Sequence, residues 1–270
     1  MSVKVVLVGC GNMGFAMLEG WLGSGRLTAS DTIVVEPVDA LRERAGTLGI
    51  SVFADAAQLP EGLAPRLVVF AVKPQVILDV IPAYARFAGS ATYLSVAAGT
   101  QIAAFQGALG PDAAIIRCMP NTPAAIGKGM MVTVDNGKVD AATNEFVEGL
   151  LSSNGRVATI PAEHLMDAVT AVSGSGPAYI FHFIECLTVA GETAGLPSET
   201  AKLLAMQTVF GAASLAAESG TEPGELRRQV TSPNGTTAAA LSVFMDEDRL
   251  KTLVTEAVDA ARRRSIELGA

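Results

Sequence analysis

The feature that most constrains this chain is its start. Residues 5–8 read V-V-L-V, a continuously apolar, β-branched run that closes on Gly9, Gly11 and Gly14 in G-C-G-N-M-G, with a helical pattern over 13–22. Such a run is expected of a strand buried on both faces, the state of strands in a parallel sheet. The glycines have separate tasks at these offsets. Gly9 permits a tight turn, Gly11 lets backbone approach a pyrophosphate, and Gly14 lets the helix pack close to the strand. Asn12 and Met13 stand at the helix start, where free N–H groups and the macrodipole attract phosphate. A second strand over 32–36 ends in Glu36, followed by Pro37. Strand, helix and acid together point to dinucleotide binding, which a glycine-rich turn alone would not.

A helix pattern over 39–48 and a short strand over 50–53 complete a β-α-β-α-β order, the mononucleotide-binding half of a doubly wound sheet. Glu36 lies 27 residues beyond Gly9, because 23–30 lengthen the intervening loop. Its carboxylate is placed to accept hydrogen bonds from the adenosine ribose hydroxyls and to repel a 2′-phosphate. The expected cofactor is therefore NADPH or NADH, with NADH favoured. Arg42 and Arg44 are the side chains that would turn toward a 2′-phosphate. Further on, a strand over 67–72 carries Ala71 and Val72 into Lys73 and Pro74, with Pro74 in the first turn of a helix to about 81. A strand over 93–96 stops at Ala97, Ala98 and Gly99, small residues against which a flat ring can lie. After a strand over 114–117 comes the loop Cys118, Met119, Pro120, Asn121, Thr122, Pro123. Its prolines fix its shape, and Asn121 and Thr122 offer polar groups at the carboxyl end of the sheet, where open α/β sheets bind ligands. A strand over 130–134, a helix over 139–151 and a strand over 156–160 end this domain.

From Glu163 onward helices take over. A helix over 163–171 is expected to stop at Ser173-Gly174-Ser175-Gly176, and Pro177 to open another that runs to about 194. Ser175 or Gly176 would cap that helix, whose N-terminus also suits an anionic ligand. The helix over 198–219 is Ala/Leu-rich and apolar round most of its circumference, which implies an obligate dimer. Thr231-Ser232-Pro233-Asn234-Gly235 has turn chemistry and feeds a helix over 236–245. A loop rich in backbone donors, ending at a helix N-terminus with the hydroxyls of Thr236 and Thr237, is suited to hold a carboxylate.

Several classes are excluded. A formal charge of -8 leaves little attraction for nucleic acid or anionic lipid, and the basic run of Arg262, Arg263 and Arg264 fits the solvated face of a terminal helix. No apolar run reaches about 18 residues and no leader is evident, so a cytoplasmic protein without a membrane span is expected. Cys10, Cys118 and Cys186 are widely spaced in apolar settings, as in a reducing compartment. His164 and His182 have no partners at metal spacing, and no metal site is expected. With 270 residues, 50% of them hydrophobic, two ordinary cores are affordable.

Taken in order, six motifs resemble the pyrroline-5-carboxylate reductases: G-C-G-N-M-G at 9–14, A-V-K-P at 71–74, A-A-G at 97–99, M-P-N-T-P at 119–123, D-A-V-T-A-V-S-G-S-G-P-A-Y at 167–179 and Q-V-T-S-P-N-G-T-T at 229–237. The resemblance implies reduction of 1-pyrroline-5-carboxylate to L-proline by hydride from NAD(P)H. It implies an α/β fold, with a Rossmann-type dinucleotide-binding domain over 1–160 followed by an all-α dimerisation domain over 161–270. The two chains of an interlocked homodimer would build each active site from one cofactor domain and the partner's helices; the sequence leaves open whether the assembly stops at the dimer or stacks into a larger ring. Substrate contacts are implied for Ser175, Val230, Ser232, Asn234, Gly235, Thr236 and Thr237. Backbone N–H groups around Gly235, Thr236 and Thr237 would hold the carboxylate, and the Thr237 hydroxyl would reach the ring nitrogen. A β-hydroxyacid dehydrogenase would need a lysine on the helix after 173–176, and none stands there. A non-catalytic dinucleotide sensor would have no use for the carboxylate loop.

Overall fold

The structure, a computed structural model, describes residues 3–269. Eight strands form one sheet: β1 Val5–Val8, β2 Thr32–Val35, β3 Ser51–Phe53, β4 Leu67–Phe70, β5 Thr92–Ser95, β6 Ala114–Met119, β7 Gly129–Asp135 and β8 Gly155–Thr159. Their order is β3-β2-β1-β4-β5-β6-β7-β8. The first six are parallel, β7 runs antiparallel to β6, and β8 is parallel to β7. The order reverses between β1 and β4, the switch point at which doubly wound sheets bind nucleotides.

The unbroken apolar strands follow from burial on both faces. Val5 and Leu7 point into one core with Met17, Leu18 and Trp21, while Val6 and Val8 point into the opposite core with Ile77, Ile81 and Phe105. Side chains alternate across a strand, so only a sheet covered by helices on both sides can absorb V-V-L-V. The covering helices are α1 Asn12–Gly23, α2 Asp39–Gly46, α3 Pro74–Val80, α4 Ile102–Leu109 and α5 Ala141–Leu151. α4 is absent from the sequence expectations, as is the 3-10 segment Ile81–Phe87. Their signal is a short stripe: Ile102, Phe105 and Leu109 are buried at i, i+3 and i+7.

At 163–176 the chain departs from expectation. No stop occurs at Ser173-Gly174-Ser175-Gly176. The 3-10 turn Glu163–Leu165 leads into α6 Met166–Val169, then a π-turn over Thr170–Gly174, then α7 Gly176–Thr193. Ser175 has right-handed helical dihedrals, and its N–H donates to the Thr170 carbonyl at 2.8 Å, an i→i−5 bond. Ser175 is therefore part of a helix carrying one extra residue, and the expected cap is corrected to a π-bulge. Small residues permit it: a Cβ on Gly174 would collide with Met119 Cε.

Contacts divide the chain into two units, one of residues up to 175 together with those from 261 on, the other of residues 176–260. The second unit is helical: α7, α8 Ser198–Glu218, α9 Pro223–Gln229, α10 Thr236–Met245 and the first part of α11 Arg249–Gly269. α7 and α8 approach through small residues, a Cβ on Gly191 lying 3.1 Å from Ala201 Cβ. No helix among the described residues is long and apolar enough to cross a membrane.

Candidate active site

The glycine loop follows β1. Gly9 has φ +87, and a Cβ there would sit 2.9 Å from the Ala71 carbonyl oxygen and 2.8 Å from Val72 Cγ1. Only glycine fits this turn. Gly14 packs so closely that a Cβ would collide with the Gly9 carbonyl oxygen, with Ala71 Cβ 3.2 Å away. Gly11 differs: a Cβ there meets nothing within 4 Å. Folding therefore does not require Gly11 to be bare, whereas close approach of a ligand would. Gly11 is the N-cap of α1 and no side chain caps that end, where the N–H groups of Asn12 and Met13 lie.

Glu36 stands just beyond β2 and is 5% exposed. Its Oε2 accepts from the Cys10 N–H at 2.7 Å and its Oε1 from the Val38 N–H at 2.9 Å, so the carboxylate is pinned beside the glycine loop, next to Pro37. Both nearby arginines are engaged. Arg42 donates to the carbonyls of Glu36 and Pro37 at 3.0 and 3.1 Å and pairs with Asp39. Arg44 donates to the carbonyls of Cys10 and Gly11 at 2.9 and 3.3 Å, its guanidinium 4.0 Å from the Phe15 ring centre. Burial pushes the Cys10 thiol up to about 11, and that of Cys118 to about 12, so neither is a nucleophile near neutral pH.

Three further segments end at the same edge of the sheet. Ala71 and Val72 follow β4, Lys73 is the N-cap of α3 and Pro74 its first residue. Ala97, Ala98 and Gly99 follow β5, Gly99 with φ +77. Met119 is the last residue of β6, two residues further than expected, and leads into Pro120, Asn121 and Thr122. Asn121 spends both ends of its amide inside the protein, donating to the Ser173 carbonyl at 3.2 Å and accepting from the Met130 N–H at 2.8 Å. Its side chain is a brace between the loop and the π-bulge. A cavity of about 620 Å³ brings Pro74, Ala98 and Gly99 together with Ser175.

The other implied substrate residues belong to the second unit. Gly235 is the extended N-cap of α10, with no side chain capping that helix, and Thr236 and Thr237 fill its first turn. Asn234 adopts φ 59, the left-handed conformation that asparagine tolerates, and a Cβ on Gly235 would collide with Ser232 Oγ. The loop closes through the Gly235 N–H to the Ser232 carbonyl at 3.1 Å, after Val230 at the end of α9. Among the described residues no group of three or more His, Cys, Asp or Glu side chains is placed to hold a metal.

Sheet order, glycine loop and following helices define a dinucleotide-dependent oxidoreductase with a helical second part. Comparison with known proteins narrows this. Residues 163–268 match the family model "Pyrroline-5-carboxylate reductase dimerisation", and residues 4–99 match "NADP oxidoreductase coenzyme F420-dependent". The pyrroline-5-carboxylate reductase of Pseudomonas aeruginosa is 40% identical, covering 98% of this chain and 96% of its own. The solved pyrroline-5-carboxylate reductase of Coxiella burnetii aligns with TM-score 0.93 at 32% identity over 100% of both chains. That of Plasmodium falciparum, solved with NADP bound, aligns with TM-score 0.84 at 28% identity over 99% and 98%. The chain belongs to the pyrroline-5-carboxylate reductase family, oxidoreductases dependent on NAD(P)H.

Proposed function

We propose that this protein reduces 1-pyrroline-5-carboxylate to L-proline, the last step of proline synthesis, with NADH preferred over NADPH. The observation that carries the substrate assignment is the start of α10: an uncapped helix N-terminus, preceded by a left-handed asparagine and bearing two hydroxyls in its first turn. Its N–H groups suit the substrate carboxylate, and the Thr237 hydroxyl is assigned to the ring nitrogen. Val230, Ser232 and Asn234 shape that loop, and Ser175 is proposed to line the substrate's other side.

The residues of the first unit fit a dinucleotide. Gly9, Gly11, Asn12, Met13 and Gly14 would receive the pyrophosphate, and Glu36 with Pro37 the adenosine ribose. Ala71, Val72, Lys73, Pro74, Ala97, Ala98, Gly99, Met119, Pro120, Asn121 and Thr122 would border the rest of the cofactor. NADH is favoured because Glu36 is fixed as an acid at the ribose position and both arginines are held by protein carbonyls. When bound, the cofactor supplies hydride to C5 of the imine. The chain's own work is orientation: a protonated C=N is already electrophilic, and its nitrogen keeps its proton when C5 is reduced. Thr237 then needs only to hold that nitrogen in place.

Self-association is proposed as an interlocked homodimer, with a larger ring as its extension. The functional division is placed at 160/161, so that the helical domain of one chain completes the site of the other. A cytoplasmic location is proposed from the free thiols of Cys10, Cys118 and Cys186. The test is steady-state oxidation of NADH and of NADPH, separately, with 1-pyrroline-5-carboxylate. Proline formation with a higher kcat/KM for NADH is expected. A higher value for NADPH would remove Glu36 as the selector, and no turnover with either would sink the assignment.

A further inference from the structure

We infer that Glu163 is a positioning residue for hydride transfer: its carboxylate holds the amino end of α4, and with it the 97–101 loop, in the place a nicotinamide ring requires. The inference rests on the proposed role of Ala97, Ala98 and Gly99. Those residues run directly into α4, whose N-cap, Gln101, supplies no side-chain cap of its own. The cap comes from elsewhere. Glu163 Oε1 accepts from the Ile102 N–H at 2.8 Å, and the same oxygen meets Arg117 Nη1 at 2.5 Å. Arg117 sits in β6 and is 7% exposed, so its charge needs this partner and in turn keeps the carboxylate in place. A carboxylate at the first N–H of a helix is also favoured by the helix dipole.

The C-terminal turns of α11 hold the same loop from another direction. Gln101 Nε2 donates to the Gly269 carbonyl at 3.2 Å, and a Cβ on Gly99 would lie 3.3 Å from the Leu268 carbonyl oxygen. Ser265 is buried and donates to Asp167 Oδ1 at 2.7 Å, which ties this turn to α6. The loop therefore rests on residues remote in sequence, and Glu163 is the charged side chain that bonds its helix start directly. Displacing a reacting ring by about 1 Å costs on the order of a hundredfold in rate, so losing this cap should be visible in the chemical step.

The test compares wild type, Glu163→Ala, Glu163→Gln and Ile102→Pro, using NADH and NADH deuterated at the transferred position. Glu163→Ala is expected to lower kcat by about ten- to a hundredfold, with KM for the imine little changed, and to raise the primary isotope effect on kcat. Glu163→Gln keeps an acceptor for the Ile102 N–H, so its isotope effect should return toward wild type even though Arg117 loses its counter-charge. Ile102→Pro removes that N–H at a helix position that proline accepts, together with a buried side chain, so Ile102→Ala serves as its side-chain control; the ion pair stays intact, and the proline variant but not the alanine one should raise the isotope effect as Glu163→Ala does. A simple loss of folded protein would leave every isotope effect at the wild-type value. Wild-type isotope effects in both Glu163→Ala and Ile102→Pro overturn the inference alone; absence of turnover by the wild type overturns the functional reading and this inference with it.

Discussion

The two units use the same kind of residue to opposite ends. In the first, the largest aromatic side chains are buried in the core: Trp21, Tyr93, Phe70 and Phe105 are covered, and Tyr93 directs its hydroxyl to the Tyr84 carbonyl at 2.9 Å. In residues 176–260 the buried residues are two alanines, Ala201 and Ala205, while Phe181 is 59% and Leu203 67% exposed. Each such side chain left in water forgoes about 1.5–3 kcal/mol. A sheet covered on both faces is complete within one chain; an α-helical unit of this composition is not. The exposed apolar faces lie in the part of the chain that the family model for dimerisation matches, where the proposed second copy would cover them.

The hardest test of that contrast is to charge the unfinished surface. Phe181→Glu should leave the first unit folded and block assembly, lowering activity by about a thousandfold or more, the scale of a lost interface hot spot. Sedimentation velocity alongside steady-state kinetics would check it. A monomeric variant turning over at the wild-type rate would mean that the helical unit is complete as it stands.

Thr237→Ala comes next, because it removes chemistry from the helical unit without touching its apolar faces. It should assemble normally and lose about ten- to a thousandfold in kcat/KM, the range of one or two oriented hydrogen bonds. Unchanged kinetics would remove Thr237 from the mechanism.

Within the first unit, two glycines in one motif should separate folding from binding. Gly14→Ala forces a methyl into the Gly9 carbonyl and should cost about 1–3 kcal/mol of stability, read as a lower Tm. Gly11→Ala puts its methyl into open space, so Tm should hold while KM for NADH rises about tenfold, equivalent to ~1.4 kcal/mol of binding. Equal losses of Tm in the two variants would make Gly11 a folding glycine and weaken the pyrophosphate assignment.

These positions also mark what was legible in the sequence. Gly9, Gly14, the buried strands and the turn at Asn234 were readable because each depends on its immediate neighbours or on a short period. α4 carries only a three-residue apolar stripe, and its cap comes from Glu163, whose other partner, Arg117, is 46 residues away in sequence. No local pattern reveals such a pairing. The π-bulge was missed for a related reason: Ser-Gly-Ser-Gly has the composition of a helix stop, and only packing of Met119 over Gly174 and the brace from Asn121 keep it helical. Local propensity was overridden by tertiary contact.

The same contrast extends to the cysteines. Cys10 and Cys118 lie in the finished unit, where burial holds their thiols neutral until about pH 11 and 12; Cys186 lies exposed on α7, with its sulfur 3.7 Å from His182 Nε2. Cys186 shares a helix face with the exposed Tyr179 and Phe183, and a second copy that covered this face as well as Phe181 would shield it. At pH 8 a thiol reagent should therefore leave Cys10 and Cys118 unmodified at every protein concentration. Cys186 should react in dilute or Phe181→Glu protein and be protected as wild-type protein is concentrated through assembly. The expected change is a few-fold in rate, the smallest effect in this series, yet it assigns a face. Protection that ignores concentration would place Cys186 outside the interface and leave Phe181 on a different contact surface, whereas modification of Cys10 at pH 8 would show that the glycine loop opens on its own.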